Sequence, residues 1–155
     1  MKRRNKYLIL FLLLSLNLSY AQGQMKIYNK FMPIDLSRDS NFIKYYNSFK
    51  RCVKTDDSLE MAKLIGNDFS SLNVVLQKEG TKTHEVVRVK LKTRGDFLRL
   101  YPKIFDARMK KVIGSQAIKD LVLMPEGIML SHGEIWWKYY EDTKIIKLVS
   151  IANSQ

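Results

Sequence analysis

The spacing of the apolar residues changes near Leu72, and this change constrains the fold more than any other feature of the chain. Upstream, apolar residues recur every three or four positions, as on one face of a helix: Phe42, Tyr46, Phe49 and Val53. Downstream, apolar and basic residues alternate, as on a half-buried strand: Val87, Val89 and Leu91 between Arg88, Lys90 and Lys92. A chain with both periods in separate stretches is predicted to fold as an α+β domain.

The predicted order of elements is helix, helix, strand, strand, helix, and then three or four strands. The segments are 39–54, 57–65, 72–77, 84–92, 94–113, 118–124, 127–130, 134–140 and 144–152. Asp39 or Ser40 is expected to cap the first helix, and Asp57 the second. Pro102 removes a hydrogen bond from the third helix, so we expect a kink or a break there. Short connections favour antiparallel pairing of the last strands.

The first 21 residues have the layout of a cleaved secretory signal. The segment begins with basic residues, which are followed by an apolar run over 7–14. It ends in Ser19-Tyr20-Ala21, which places small residues at the positions that a signal peptidase reads before the cleavage site. The run is shorter than the ~20 residues that span a bilayer, so no transmembrane segment is expected in the mature chain. We predict a signal peptide at 1–21, a tether at 22–38 and one domain at 39–155. The protein is then exported to the bacterial periplasm or secreted.

Charge and cysteine content set further limits. Cleavage lowers the formal net charge from +12 to +8, because the signal holds four cations and no acidic residue. The remaining length suits one domain with a single core. Cys52 is the only cysteine, so no intramolecular disulfide can form. We predict a buried thiol on the first helix.

The strand that begins at Glu134 is the best candidate for a binding site. Alternation places Glu134, Trp136, Lys138 and Tyr140 on one face, and Ile135, Trp137 and Tyr139 on the other. One face is expected to meet the helices, and the second to line a pocket or meet another subunit. Tyr101, on the apolar side of the third helix, joins the candidates for ligand or partner binding. The alternative is that these aromatic residues only complete the core.

Several motifs of the chain resemble a known superfamily. The segment Asp96-Phe97, Tyr101 and Ile104-Phe105 precedes the strands Gly127-Ile128-Met129-Leu130 and Gly133-Glu134-Ile135-Trp136. This arrangement resembles exported bacterial members of the nuclear-transport-factor-2-like superfamily, which includes ketosteroid isomerases and polyketide cyclases. The resemblance implies N-terminal helices packed on a strongly curved antiparallel sheet, a cone with a pocket, and the order α-α-β-β-α-β-β-β(-β). It also implies that sheet-to-sheet homodimers are possible, but it transfers no catalytic residue.

Few groups in the chain offer catalytic chemistry. One cysteine and two histidines, His84 and His132, form no metal-binding pattern, and phosphate-binding glycine motifs are missing. We therefore predict no metal and no cofactor. His132 and Glu134 are weak candidates for an acid and a base, and Asp96 is a third, although Asp96 with Thr93 also reads as a helix capping box.

A row of cations on the second strand is the remaining candidate. Arg88, Lys90 and Lys92 project to one face and are able to bind an anionic surface, such as lipid or an acidic protein. The alternative is a solvated sheet face. Nucleic acid is not expected as the partner of an exported chain without stacking motifs.

The sequence therefore predicts an exported α+β domain with a non-catalytic role, binding a small apolar ligand or a protein partner. Two alternatives stay open. One is a ketosteroid-isomerase-like or dehydratase-like enzyme that uses Glu134, Asp96 or His132 as proton carrier. The other is an inhibitor or immunity-type protein.

Overall fold

The computed structural model describes residues 35–78, 85–140 and 142–154. The helices are α1 (Ser40–Lys54), α2 (Ser58–Ile65), α3 (Arg94–Ile104) and α4 (Ala107–Ser115). The strands are β1 (Asn73–Gln77), β2 (Val86–Lys90), β3 (Val122–Met124), β4 (Gly127–Leu130), β5 (Ile135–Tyr140) and β6 (Ile145–Asn153). The α+β class is confirmed. The predicted signal peptide, most of the tether and His84 lie outside the described residues.

Each helix begins at a side chain that satisfies free backbone N–H groups. Asp39 accepts from the N–H groups of Asn41 and Phe42, which confirms the predicted start of α1. The other three helices are capped in the same way, by Asp57, Thr93 and Asp106. The starts of the four helices therefore follow from local hydrogen bonding, and those of α1, α2 and α3 agree with the prediction.

The apolar stripe of α1 faces the core as the spacing predicts. Its four predicted members are all at most 1% exposed: Phe42, Tyr46, Phe49 and Val53. Cys52 is fully buried beside them, so the predicted buried thiol is confirmed. Leu36, from the end of the predicted tether, also packs into this core.

The third predicted helix is two helices, and the break does not lie at Pro102. Helix α3 continues through Pro102 to Ile104, and the chain leaves helical geometry at Phe105. Because Pro102 lies in the last turn, its missing N–H costs α3 only one of its final hydrogen bonds. Asp106 is extended and caps α4 through the N–H of Met109, which fixes the position of the break.

The sheet is mixed, so the prediction of a purely antiparallel sheet is wrong. Its order is β2-β1-β6-β5-β4-β3, with β2 and β3 at the two edges. Strands β1 and β6 run parallel, with Val74 opposite Ile151, whereas every other neighbouring pair is antiparallel. Short turns dictate antiparallel pairing only between consecutive strands, and β1 and β6 are separated by most of the domain. The cone-like curvature stays a prediction.

The helices pack on one face of the sheet around a single tryptophan. Trp137 is fully buried and meets the rings of Phe42, Tyr46 and Phe49 edge-on, with centroid distances of 6.5, 5.8 and 5.2 Å. Edge-to-face contacts of this kind add to the gain from burying the rings. We call the side of the sheet that carries Trp137 the inner face.

Candidate functional site

Strand β5 separates its two tryptophans onto opposite sides of the sheet. Ile135 and Trp137 are fully buried on the inner face, which meets the helices. Trp136 is half-buried on the other side, with Lys138 and Tyr140 exposed beyond it. We call this side the outer face, and its main members are Arg88, Lys90, Met129, Trp136, Lys138, Tyr140 and Ile145.

The strand registers place Trp136 in the middle of a row that crosses all six strands. The row reads Val122, Met129, Trp136, Ser150, Asn73 and Lys90. Its first half is apolar, and Val122 and Met129 are half-buried beside Trp136. Its second half is polar, and Asn73 donates a hydrogen bond to Ser150. The outer face thus divides into an apolar part near β3 to β5 and a polar part near β1 and β2.

All formal charges on the strands are positive and lie on the outer face. The six described strands contain no Asp or Glu, and their only charged residues are Arg88, Lys90, Lys138 and Lys147. Lys147 pairs with Asp68 at 2.9 Å. Lys138 has no ion-pair partner among the described residues, nor does Arg88 or Lys90. The positive charge of this face is therefore largely uncompensated.

Exposed apolar side chains lie at one end of the outer face. Tyr140 and Ile145 stand directly opposite each other at the end of β5 and β6, and are 46% and 54% exposed. Val86 of the edge strand β2 is also 54% exposed but lies at the opposite end of the face, because its partner Gln77 follows Leu76, which pairs with the last residue of β6. Tyr140 and Ile145 thus form a small exposed apolar pair near the exposed Lys138 of the same strand.

Glu134 is held in the turn between β4 and β5. Its side chain is only 6% exposed and accepts from the backbone N–H of His132 at 2.8 Å. The guanidinium of Arg108 lies 3.7 Å from the carboxylate and also donates to Asn153 at 2.7 Å. Glu134 therefore links the turn to helix α4 and, through Arg108, to the end of β6.

The structure brings His132 and Glu134 together through the backbone and not through the imidazole ring. His132 is exposed in the turn, and its Nδ1 lies 3.1 Å from the hydroxyl of Ser131. No hydrogen bond joins the ring to the carboxylate of Glu134 within the described part of the chain. The contact that joins the two residues in this structure therefore orders the turn between β4 and β5.

Asp96 forms the capping box that its spacing from Thr93 indicates. Its carboxylate accepts from the backbone N–H groups of Lys92 and Thr93, both at 3.1 Å. These hydrogen bonds favour the charged form and hold the pKa of Asp96 below its usual value. A carboxylate with a lowered pKa is a weaker base, so its surroundings favour a structural role over proton abstraction.

Tyr101 lies in the core and not on the outer face. It is 3% exposed, contacts the rings of Phe97 and Phe105, and donates a hydrogen bond to the carbonyl of Cys52 at 3.0 Å. Burial raises the pKa values of Tyr101 and Cys52. The structure thus separates the aromatic candidates into Trp136 and Tyr140 outside, and Tyr101 and Trp137 inside.

Sequence reasoning missed a groove on the helical side of the domain. It lies between α1 and α4, has a volume of about 720 Å³ and contains Lys50, Arg51, Lys54 and Lys110. A second groove, of about 540 Å³, lies beside the junction of α3 and α4 and contains both signs of charge, with Asp56, Asp106 and Lys110. No local pattern predicts either groove, because each depends on how separate helices pack.

Two structural features are not found within the described ranges. No group of three or more His, Cys, Asp or Glu residues in 35–78, 85–140 and 142–154 is placed to hold a metal ion. None of the helices in the same ranges combines the length and the apolar character needed to cross a membrane.

Comparisons with protein-family models, with curated proteins and with solved structures gave no match. The structure itself defines the class: an α+β domain with an open six-stranded mixed sheet, helices on one face and a basic, partly aromatic surface on the other. The resemblance to the nuclear-transport-factor-2-like superfamily stays a prediction.

Proposed function

We propose that this protein is an exported, non-catalytic binding protein whose outer face docks a protein partner with an acidic, partly apolar surface. One observation carries the proposal: the six described strands hold four cations and no acidic residue, and all four cations share a face with Trp136. Aromatic side chains and Arg are enriched at protein interfaces, and complementary charge guides partners together.

The charge of the outer face argues for a different protein as the partner and against a second copy of the chain. In a symmetric dimer the same patch meets itself, so Lys138 and Arg88 of each copy would approach the cations of the other. Like charges brought together at an interface are costly. The homodimer that the resemblance implies is therefore the less favoured arrangement for this surface.

Site-specific cross-linking tests the proposal in the native host. Trp136, Tyr140 and, as a control, Leu59 are replaced one at a time by the photoreactive p-benzoylphenylalanine. Leu59 is a matched control because it is 55% exposed and lies on α2, on the helical side. We expect positions 136 and 140 to cross-link to one acidic protein that position 59 does not capture. Equal capture at all three positions, or cross-links only between copies of the chain, would contradict the proposal.

Binding measurements with the captured protein then test the chemistry. Trp136→Ala should weaken binding by about tenfold or more, as for a central aromatic residue. The double variant Arg88→Gln/Lys138→Gln should lower both the affinity and its dependence on salt. Lys44→Gln/Lys111→Gln removes the same formal charge from exposed residues of α1 and α4, on the helical side, and should have the smaller effect. An affinity that the Arg88 and Lys138 changes leave intact would overturn the electrostatic part of the proposal.

Export rests on residues 1–21 alone and has its own test. The basic start and the small residues before Gln22 support cleavage after Ala21. N-terminal sequencing of the protein from the periplasmic or secreted fraction of cells that express the whole chain should begin at Gln22. A chain that keeps Met1 and stays in the cytoplasm would contradict export without affecting the proposal for the outer face.

We also propose the cone fold of the nuclear-transport-factor-2-like superfamily. The order of elements supports this assignment, because the hairpin β1–β2 is followed by α3 and α4 and then by the four antiparallel strands β3 to β6. A bulge in β6 supports it as well. The bulge arises because Trp136 pairs with Ser150 but Trp137 pairs with Leu148, and bulges increase the local twist of a sheet. An experimental structure with a flat sheet would contradict this assignment.

A further inference from the structure

The groove between α1 and α4 combines apolar surface with a basic rim. Val53 from α1 and Ile113 from α4 lie beneath the groove and are only 1% exposed, so its accessible apolar surface is that of Gly114 and of the aliphatic stems of the basic side chains. Arg51, Lys54 and Lys110 stand around the groove. No acidic residue is among the described residues that line the groove. Its volume of about 720 Å³ is within the range of small-molecule sites, about 300–1,000 Å³.

Two of the cations in the groove already have partners. Lys50 donates to the carbonyls of Gly114 and Gln116, at 3.1 and 2.7 Å, and so neutralises the C-terminal end of α4. Lys110 pairs with Asp56 at the rim, at 2.6 Å. These contacts hold both ammonium groups in place.

Arg51 and Lys54, the other two cations of the groove, are not held in this way. Both are exposed on the last turns of α1, and neither has an ion-pair partner among the described residues. An anion that enters the groove therefore meets two cations whose charge is not yet compensated. Hydrogen bonds to ionised groups are stronger than those between neutral groups, so such an anion gains from both contacts.

We infer that this groove binds an amphiphilic anion, meaning an acyl chain with a carboxylate or phosphate head. The acyl chain lies over Gly114 and along the aliphatic stems of Lys50 and Lys110, and the head contacts Arg51 and Lys54. A purely apolar ligand leaves these cations without a counter-charge, and a small hydrophilic anion leaves the apolar surface of the groove exposed to water. The inference is independent of the proposed function, because the groove lies on the helices and the proposed docking surface lies on the outer face.

A single substitution at Gly114 should be enough to close the groove. A Cβ built on Gly114 meets no atom within 4 Å, so a larger side chain has room to extend into the groove. Gly114→Leu is therefore expected to occupy the groove without disturbing α4, and Gly114→Ala is the matched control that adds only one methyl group.

Calorimetric titration with defined probes tests the inference on protein purified from cells that express the whole chain. The probes are dodecanoate and dodecyl phosphate, with butyrate as a head without a long chain and dodecyltrimethylammonium as a chain with the opposite charge. We expect saturable binding of one dodecanoate or one dodecyl phosphate per chain. The relative affinity of these two distinguishes a carboxylate head from a phosphate head. Butyrate and the cationic amphiphile should bind far more weakly.

The variants locate the site. Arg51→Gln/Lys54→Gln should weaken dodecanoate binding by about tenfold, whereas Arg94→Gln/Lys92→Gln, with the same change of charge elsewhere, should leave it unchanged. Gly114→Leu should abolish binding, and Gly114→Ala should reduce it less. Circular dichroism of each variant confirms that it is folded. If neither amphiphilic anion binds, or if the folded Gly114→Leu and Arg51→Gln/Lys54→Gln variants bind like the parent, the inference is overturned.

Discussion

Trp136 and Trp137 are neighbours in sequence but belong to opposite sides of the molecule. Trp137 is fully buried, with its ring centroid 5.2 Å from that of Phe49, whereas Trp136 is half-buried on the outer face beside Met129. Alternation along the strand thus places one tryptophan in the core and leaves the other partly exposed.

The two tryptophans should differ sharply in their effect on stability. Trp137→Ala removes a ring enclosed by three aromatic side chains and should lower the free energy of unfolding by about 3–5 kcal/mol. Trp136→Ala removes mainly cross-strand contacts and should cost about 1 kcal/mol. Urea unfolding followed by circular dichroism measures both. Equal losses in the free energy of unfolding would contradict the placement of Trp137 in the core and of Trp136 on the outer face.

Tyr45 and Tyr101 form a matched pair of buried hydroxyl groups. The Tyr45 hydroxyl and the Trp137 indole N–H are buried and lack a hydrogen bond of good geometry among the described residues. Burial raises the pKa of Tyr45, and its proximity to Trp137 offsets only part of that rise. Tyr45→Phe should therefore leave stability unchanged or raise it by about 1 kcal/mol.

Tyr101→Phe is the control and should change stability in the opposite direction. Its hydroxyl donates to the carbonyl of Cys52, so its removal should lower the free energy of unfolding by about 1 kcal/mol. Both variants are compared with the parent in the same urea titration. A loss of stability in Tyr45→Phe as large as that in Tyr101→Phe would show that the Tyr45 hydroxyl is satisfied in solution.

Two capping carboxylates should make stability depend on pH in the acid range. Hydrogen bonds from Tyr139 to Asp39, and from Lys92 N–H to Asp96, lower both pKa values below the ordinary 3.8. A lowered folded-state pKa means that the unfolded chain takes up protons first as the pH falls. The stabilisation is therefore complete above the ordinary pKa and is lost as the pH falls through the lowered values.

Urea unfolding between pH 6 and pH 2 measures this loss. Asp39→Asn and Asp96→Asn should each make the free energy of unfolding fall less steeply as the pH decreases, because each removes a carboxylate whose pKa is lowered by folding. Glu126→Gln is the control, since Glu126 is exposed and has no hydrogen-bond partner among the described residues. A slope that none of the three variants changes would contradict the role of the caps.

Two glycines should respond in opposite ways to the same substitution. Gly114→Ala adds a methyl group in open space within α4 and should raise the free energy of unfolding by about 0.5 kcal/mol, since alanine favours the helix. Gly127 has φ +150°, and a Cβ there would lie 2.2 Å from the carbonyl oxygen of Trp137. Gly127→Ala should therefore lower the free energy of unfolding by about 1–3 kcal/mol. Thermal unfolding of the two variants side by side tests the contrast.

Local chemistry accounts for the elements that the sequence predicts well. The capping residues Asp39 and Asp57, the apolar stripe of α1 and the alternation along β5 act over a few residues, so spacing alone reveals them. The sequence therefore determined the α+β class, the starts of the first three helices and the separation of Trp136 from Trp137. It also indicated that Asp96 caps a helix.

Only the tertiary structure decided the pairing and the packing. The parallel pair β1 and β6 joins distant segments, and no short-range pattern encodes a contact of that separation. The break after Ile104 depends on the position of Phe105 in the core and on the Asp106 cap, and Pro102 alone did not locate it. The basic groove depends on how α1 lies against α4. Sequence spacing fixes the direction of a side chain within its own element, whereas its neighbours from other elements follow from the free energy of the whole packed domain.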